Sequence, residues 1–97
     1  MGTSENGPKR KARFRIVNRL GLHARAAAAL VKTASRYQCD VVLCKDGDEV
    51  NGKSIMGVLM LAAAKGSEIE VVAQGSDAEA CLGALGALIA DKFGEEE

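Results

Sequence analysis

Residues 21–32, GLHARAAAALVK, contain His23, the only histidine of the 97-residue chain, where a glycine-led loop meets an alanine-rich helix. The start of a helix exposes unpaired backbone N–H groups and the positive end of the helix dipole, so the peptide groups after His23 favour an anion such as phosphate. Arg25 adds a guanidinium that can hold phosphate oxygens in a fork. The pattern predicts a histidine that accepts a phosphoryl group.

Other roles for His23 stay open from the residues alone. A lone histidine near a helix start also serves as a surface or capping residue. A metal site would need further ligands, but the chain has no second histidine, and Cys39, Cys44 and Cys81 lack zinc-ligand spacing. A Cys/His hydrolase needs a shaped cleft and an oriented base, which a domain of this size rarely provides. We therefore expect no metal at this site.

The hydrophobic pattern predicts the elements that position His23. Alternating residues indicate strands, and apolar residues spaced three and four apart indicate helices. The predicted elements are a strand at 12–17, a helix at 24–36, a strand at 39–45, a second strand after the Asp46-Gly47 turn, a helix from 55 to Gly66, a strand at 68–73 and a helix after Ser76 or Asp77. This β-α-β-β-α-β-α order suggests an open two-layer sandwich with the helices on one side of the sheet.

Length and composition predict one domain with a modest, aliphatic core. We expect residues 1–11 to be a disordered basic leader, residues 12–94 to be the domain and residues 95–97 to be an acidic tail. Three aromatic residues and no tryptophan argue against a large cofactor that stacks on aromatic rings. The expected core residues are Val41, Leu43, Leu59, Leu61, Val71, Leu82, Leu85 and Ile89.

Charge and cysteine usage bound the partners and the compartment. The formal net charge is zero, yet residues 9–15, KRKARFR, are strongly basic around one ring, which raises nucleic-acid binding as an alternative function. The remaining surface is not basic and has no RNA-recognition signature, so we expect no nucleic-acid partner. The longest apolar run is too short for membrane insertion. Three cysteines without CxxC spacing and no apolar leader predict a reduced, cytoplasmic protein.

Two ordered blocks, GLHARAA at 21–27 and NGKSIMGVLMLAAAKG at 51–66, resemble HPr, the histidine-containing phosphocarrier family of the bacterial phosphoenolpyruvate:sugar phosphotransferase system. The resemblance covers about residues 13–93. It implies an α+β fold, an open-faced two-layer β-sandwich with a four-stranded antiparallel sheet and three helices on one face. It also implies that His23 is phosphorylated on Nδ1, that Arg25 steadies the phosphoryl group, and that the carrier uses no metal or organic cofactor.

The partners implied by the resemblance are other proteins of the phosphotransferase system. Phosphorylated enzyme I would supply the phosphoryl group, and the enzyme IIA domains of sugar transporters would receive it. Ser54 matches a serine that HPr kinase/phosphorylase modifies in many bacteria, although serine at this position is also a good N-cap for a helix starting at Ile55. Ile55 and Met56 are expected either to dock partners or to belong to the core.

One residue departs from the family pattern, because Ala26 stands where the family motif usually has proline. Proline at the first helical turn fixes φ and removes an unpaired N–H. Alanine favours helix, so we expect the helix to form with a less rigid start. The departure leaves open a regulatory paralogue whose phosphorylation state is read by partners, with little sugar transport. Nothing in the sequence requires more than a monomer.

Overall fold

The computed structural model describes residues 7–97 of the chain. Seven elements follow one another in the predicted β-α-β-β-α-β-α order, and a short 3-10 turn comes after the last helix. They are β1 (Lys9–Arg15), α1 (Ala24–Ala34), β2 (Asp40–Lys45), β3 (Asp48–Asn51), α2 (Ile55–Met60), β4 (Glu68–Gln74) and α3 (Ala78–Ala90), with the 3-10 turn at Lys92–Gly94. The element order derived from the sequence is confirmed.

The four strands form one antiparallel sheet in the order β1-β4-β2-β3. In the inner strand β4, Ile69, Val71 and Ala73 are buried and alternate with more exposed residues such as Glu68 and Glu70. Side chains of a strand alternate between faces, so the sheet has one buried and one open face. The helices supply the other half of the core on the buried face. The architecture is therefore the expected α+β open-faced sandwich.

β1 begins earlier than the sequence suggests. Its first residues, Lys9 and Lys11, pair with Gln74 and Val72 of β4, and Gly75 donates its N–H to the Pro8 carbonyl at 3.0 Å. Residues 9–11, assigned to a disordered leader from composition, thus belong to the sheet because their backbone groups are paired while their basic side chains stay in solvent. Residues 1–6 of that leader lie outside the described residues.

The two long helices bury the faces on which their apolar residues recur three and four positions apart. In α1, Ala27, Leu30 and Ala34 are buried, and Val31 is half-buried. In α3, which has 13 residues, Cys81, Leu85 and Ile89 form the buried stripe. Six of the eight residues expected in the core are buried, whereas Leu59 and Leu82 are only partly covered. Within the described residues no helix combines the length and the apolar character that a membrane span requires.

α2 is shorter than its apolar pattern suggests. It ends at Met60, and Ala62 adopts a left-handed conformation with a φ of 52°, which turns the chain out of the helix. The next residue, Ala63, is buried, and its carbonyl accepts a hydrogen bond from the Leu22 N–H at 2.9 Å. The segment after α2 therefore packs against the loop that leads into His23.

Candidate functional site

The loop before His23 is held by close backbone contacts. Gly21 has a φ of +67°, and a Cβ at this position would lie 2.5 Å from the Ala63 carbonyl oxygen, so a side chain would be both strained and blocked. The next residue, Leu22, is buried and anchored to the same carbonyl. His23 consequently starts α1 from a fixed loop.

His23 is the N-cap of α1. Its backbone is extended, with φ −75° and ψ −179°, and its Nδ1 accepts a long hydrogen bond of 3.3 Å from the Arg25 N–H. The His23 carbonyl accepts the first helical hydrogen bond from Ala27 at 2.8 Å. The capping role was one of the alternatives from sequence, and the structure shows that it places Nδ1 over the first turn, where the helix favours an anion.

Arg25 lies beside this nitrogen with its side chain in solvent. Within residues 7–97 its guanidinium forms no ion pair, so its donors are available to an incoming anion. Arg25 and His23 line an open groove of about 460 Å³ together with Arg19, Leu20 and residues 94–97. We call this the His23 groove. The structure thus brings the two sequence-predicted residues together.

Ala26 does not prevent α1 from forming at the expected place. The helix begins at Ala24, and Ala26 is fully buried against the core. An alanine side chain fits this position and keeps the high helix propensity of the segment. The helix start therefore survives without the proline of the family motif.

The other ring nitrogen of His23 contacts Glu95 of the C-terminal tail, a residue that was not predicted to belong to the site. Nε2 lies 2.5 Å from Glu95 Oε2, and Glu95 Oε1 accepts a hydrogen bond of 2.9 Å from Asn18 Nδ2. Asn18 also donates to the Gly21 carbonyl at 2.9 Å. These donors, Asn18 first and His23 second, hold the pKa of the Glu95 carboxyl below its ordinary value. Both nitrogens of the His23 ring therefore have a hydrogen-bond partner, the Arg25 N–H at Nδ1 and the Glu95 carboxylate at Nε2.

The tail reaches His23 because of a turn after α3. Lys92 and Phe93 have φ values of 59° and 57°, and Phe93 packs into the core with 7% of its surface exposed. Beyond Glu95, Arg19 pairs with Glu97 through side chains 2.7 Å apart. An isolated aromatic residue in an otherwise polar tail was the signal that the sequence offered for this anchor.

The thiols form no alternative site. Cys39 and Cys81 are buried, and burial raises the pKa of Cys39 to about 12, so this sulfur stays protonated and unreactive. Cys44 is half-buried in β2. No group of three His, Cys, Asp or Glu side chains in the described range comes together as metal ligands would.

Ser54 and its neighbours form a second feature on α2. Ser54 is the N-cap, and its Oγ accepts a hydrogen bond from the Gly57 N–H at 3.1 Å, as its capping role predicts. Ile55 and Met56 are 44% and 70% exposed, which places them on the surface rather than in the core. Met60 is also exposed, and we call Ile55, Met56 and Met60 the α2 patch. The sequence did not single out Met60.

Comparison with known proteins agrees with this geometry. Residues 10–91 match the family described as the PTS HPr component phosphorylation site. The phosphocarrier protein HPr of Treponema pallidum is 49% identical over 82 residues, 84% of this chain and 93% of that protein. HPr-like protein Crh of Bacillus subtilis is 46% identical over 72 residues, 74% of this chain and 85% of Crh.

A solved structure extends the agreement to three dimensions. The crystal structure of HPr-C-His from Thermoanaerobacter tengcongensis superposes with a TM-score of 0.88 at 42% identity, covering 91% of this chain and 99% of that one. The sheet order, the position of His23 at the start of α1 and these matches lead to one assignment. The chain belongs to the HPr family of phosphocarriers of the phosphotransferase system.

Proposed function

We propose that this protein carries a phosphoryl group on His23 Nδ1, taking it from phosphorylated enzyme I and passing it to enzyme IIA domains during sugar uptake in the cytoplasm. One observation carries the proposal: Nδ1 faces the first turn of α1 within an open groove, beside Arg25, whose guanidinium forms no ion pair with any of residues 7–97. The protein makes and breaks a phosphorus–nitrogen bond but depends on partners for both half-reactions.

The site suits a transient anion. Backbone N–H groups of the first helical turn and the Arg25 guanidinium supply donors to phosphoryl oxygens. The groove is open, so a donor protein and an acceptor protein can approach the same nitrogen in turn. A carrier needs this combination, because the phosphoryl group must be stabilised without being enclosed.

The α2 patch supports docking of these partners. Ile55, Met56 and Met60 expose large apolar side chains on α2, which packs against α1. Exposed apolar clusters are typical of protein-binding surfaces. We propose that Ile55 and Met56 contact enzyme I and enzyme IIA, and that the protein works as a monomer.

The test is phosphorylation in solution. The protein is incubated with phosphoenolpyruvate, magnesium and a bacterial enzyme I, and its intact mass is recorded before and after acid treatment. We expect one acid-labile phosphoryl group, absent from His23→Ala and formed more slowly by Arg25→Ala. Arg36→Ala removes a cation after the end of α1 and serves as the matched control. No phosphorylation by enzyme I from the same source would contradict the proposal.

A second candidate function is regulatory, and the similarity to HPr-like protein Crh together with the position of Ser54 favours it. A phosphate on Ser54 would lie at the start of α2 and add charge beside Ile55 and Met56, weakening apolar docking. Incubation with HPr kinase/phosphorylase and ATP tests this idea, with Ser54→Ala as control. An acid-stable phosphate on the wild type alone supports it, and an unmodified Ser54 contradicts it.

A further inference from the structure

We propose that Glu95, held by Asn18, is a positioning residue for His23: it keeps the ring proton on Nε2, leaves the lone pair on Nδ1, and balances the positive charge that the ring gains on phosphorylation. The consequence for transfer rests on the proposed phosphocarrier function. The effect on the ring itself concerns the protein alone.

The contact between Glu95 and His23 is well placed for this role. The Glu95 side chain is only 11% exposed, and its Oε2 lies 2.5 Å from His23 Nε2, whose side chain is 28% exposed. A hydrogen bond sheltered from water is stronger than an exposed one. The carboxylate therefore acts on the ring in a partly desolvated setting.

Two independent neighbours select the same form of the imidazole. An ionised carboxylate only accepts hydrogen bonds, so Nε2 must carry the proton that it shares with Glu95. The Arg25 N–H only donates, so Nδ1 must present its lone pair. The lowered pKa of Glu95 keeps the carboxylate ionised near neutral pH. A neutral ring held in this way has its free electron pair at the nitrogen that faces the anion site.

Asn18 fixes the carboxylate in turn. It is fully buried, and its amide nitrogen donates to Glu95 Oε1 and to the Gly21 carbonyl. Its Oδ1 has no hydrogen-bond partner within the described part of the chain, a cost that buried amides seldom carry. The contacts that hold this amide are therefore the two made by its nitrogen, and they connect the loop before His23 to the tail.

The arrangement gives a balanced transfer step. The Nδ1 electron pair forms the new bond to phosphorus, while the bond from phosphorus to the donor atom of phosphorylated enzyme I breaks and its electron pair stays on that atom. No proton has to leave His23, because Nδ1 carries none. The ring becomes cationic with its proton still on Nε2, and the adjacent Glu95 carboxylate compensates this charge, as buried carboxylates do beside other reactive histidines.

The first arm of the test observes the ring directly. Because His23 is the only histidine, a ¹⁵N-labelled sample gives one pair of ring-nitrogen signals. They are recorded at about pH 9, where an ordinary imidazole is neutral. In Glu95→Ala and Asn18→Ala we expect the two signals to move toward each other as the second tautomer becomes populated. Glu96→Ala removes a neighbouring tail charge that forms no hydrogen bond or ion pair with His23, and it should match the wild type.

The second arm measures the rate of phosphoryl acceptance from enzyme I. We expect Glu95→Ala to lower this rate by about tenfold at saturating donor, the loss expected for a charge-assisted hydrogen bond, with little change in KM. Glu95→Gln keeps an acceptor oxygen but no charge, so it should restore the wild-type ring signals and only part of the rate.

The two arms separate the proposals. Unchanged ring signals in Glu95→Ala, or an equal shift in Glu96→Ala, would overturn the positioning role whether or not phosphorylation occurs. If Glu95→Ala shifts the ring signals but the wild-type protein accepts no phosphoryl group, the effect of Glu95 on the ring is supported and the proposed function is overturned. Shifted signals with an unchanged rate would overturn the contribution of Glu95 to transfer.

Discussion

Two carboxylates flank α3, Asp77 before it and Glu95 after it, and they differ in the groups that they bind. Asp77, just before the helix, accepts hydrogen bonds from the backbone N–H groups of Gln38 and Cys39 at 2.8 and 2.9 Å. Glu95, after the helix, accepts from the side chains of Asn18 and His23. The pKa of each carboxyl lies below its ordinary value, mainly because of the hydrogen bond from the Gln38 N–H for Asp77 and from the Asn18 amide for Glu95.

The difference lies in the partners. Backbone N–H groups neither titrate nor react, and the Cys39 thiol, which also contacts Asp77, is buried with its pKa raised to about 12. Asp77 therefore connects the residues before β2 to the start of α3 without taking part in chemistry. A histidine ring changes its charge and can form a covalent bond, so the state of Glu95 is coupled to the state of His23. A lowered carboxyl pKa therefore does not by itself indicate function, and the accessibility and reactivity of the neighbouring group have to be considered as well.

The largest effect is expected at Phe93, whose buried ring attaches the tail that carries Glu95. Phe93→Ala removes a buried ring and should lower the free energy of unfolding by about 3 kcal/mol. It should also free the tail, so that the His23 ring signals resemble those of Glu95→Ala. Urea denaturation and ¹⁵N spectra measure the two effects. Lys92→Gly, which keeps the left-handed turn available, is the control, and equal losses in both variants would contradict anchoring by Phe93.

An intermediate effect is expected at Asp77. Asp77→Ala leaves two backbone N–H groups without their acceptors, so the Tm should fall by about 5 °C in thermal denaturation. Asp77→Asn retains one acceptor oxygen and should lose less. The His23 ring signals should not change in either variant. A change in those signals would show that the two carboxylates are not independent.

The smallest effect is expected from acid. Both carboxyls have a folded pKa below the ordinary 3.8 of Asp and 4.5 of Glu, so the unfolded chain binds more protons as the pH falls through this range. The contribution of these two carboxyls to the free energy of unfolding is therefore fully present above about pH 5 and is lost progressively toward pH 3. Urea denaturation across this interval should show that the free energy of unfolding falls less steeply with decreasing pH for Asp77→Asn than for the wild type. The difference in slope corresponds to at most one bound proton. An identical slope would contradict the contribution of Asp77.

The part of the site that depends on local sequence could be predicted. A glycine-led turn, a histidine that can cap a helix and strong helix formers follow one another, so neighbouring residues alone place His23 and Arg25 at the start of α1. The choice of Nδ1 came only from the resemblance to the HPr family. The order of the elements followed for the same reason, because period and turn residues are local signals, whereas the four-stranded antiparallel sheet was implied by the resemblance to the HPr family. Ser54 as the N-cap of α2 is another case.

The part that depends on distant residues could not be predicted. Asn18 and His23 contact Glu95 across 77 and 72 residues of sequence, and no periodic pattern reports such a contact. Composition assigned the glutamates to an acidic tail and the lysines of residues 9–11 to a leader, since charged residues usually stay in solvent. Residues 9–11 keep their charges in solvent and pair through the backbone, whereas the tail is attached by the buried Phe93 ring and by the sheltered Glu95 carboxylate.

The same long separation gives the site a place in the order of folding. Glu95 leaves the ribosome after all seven main elements, whereas Asn18 and His23 emerge within the first quarter of the chain. Contacts between distant residues also form late because they close long loops. A nascent chain can therefore build α1 with its histidine early, but the histidine acquires its carboxylate partner only after α3 and the turn that follows it have been synthesised.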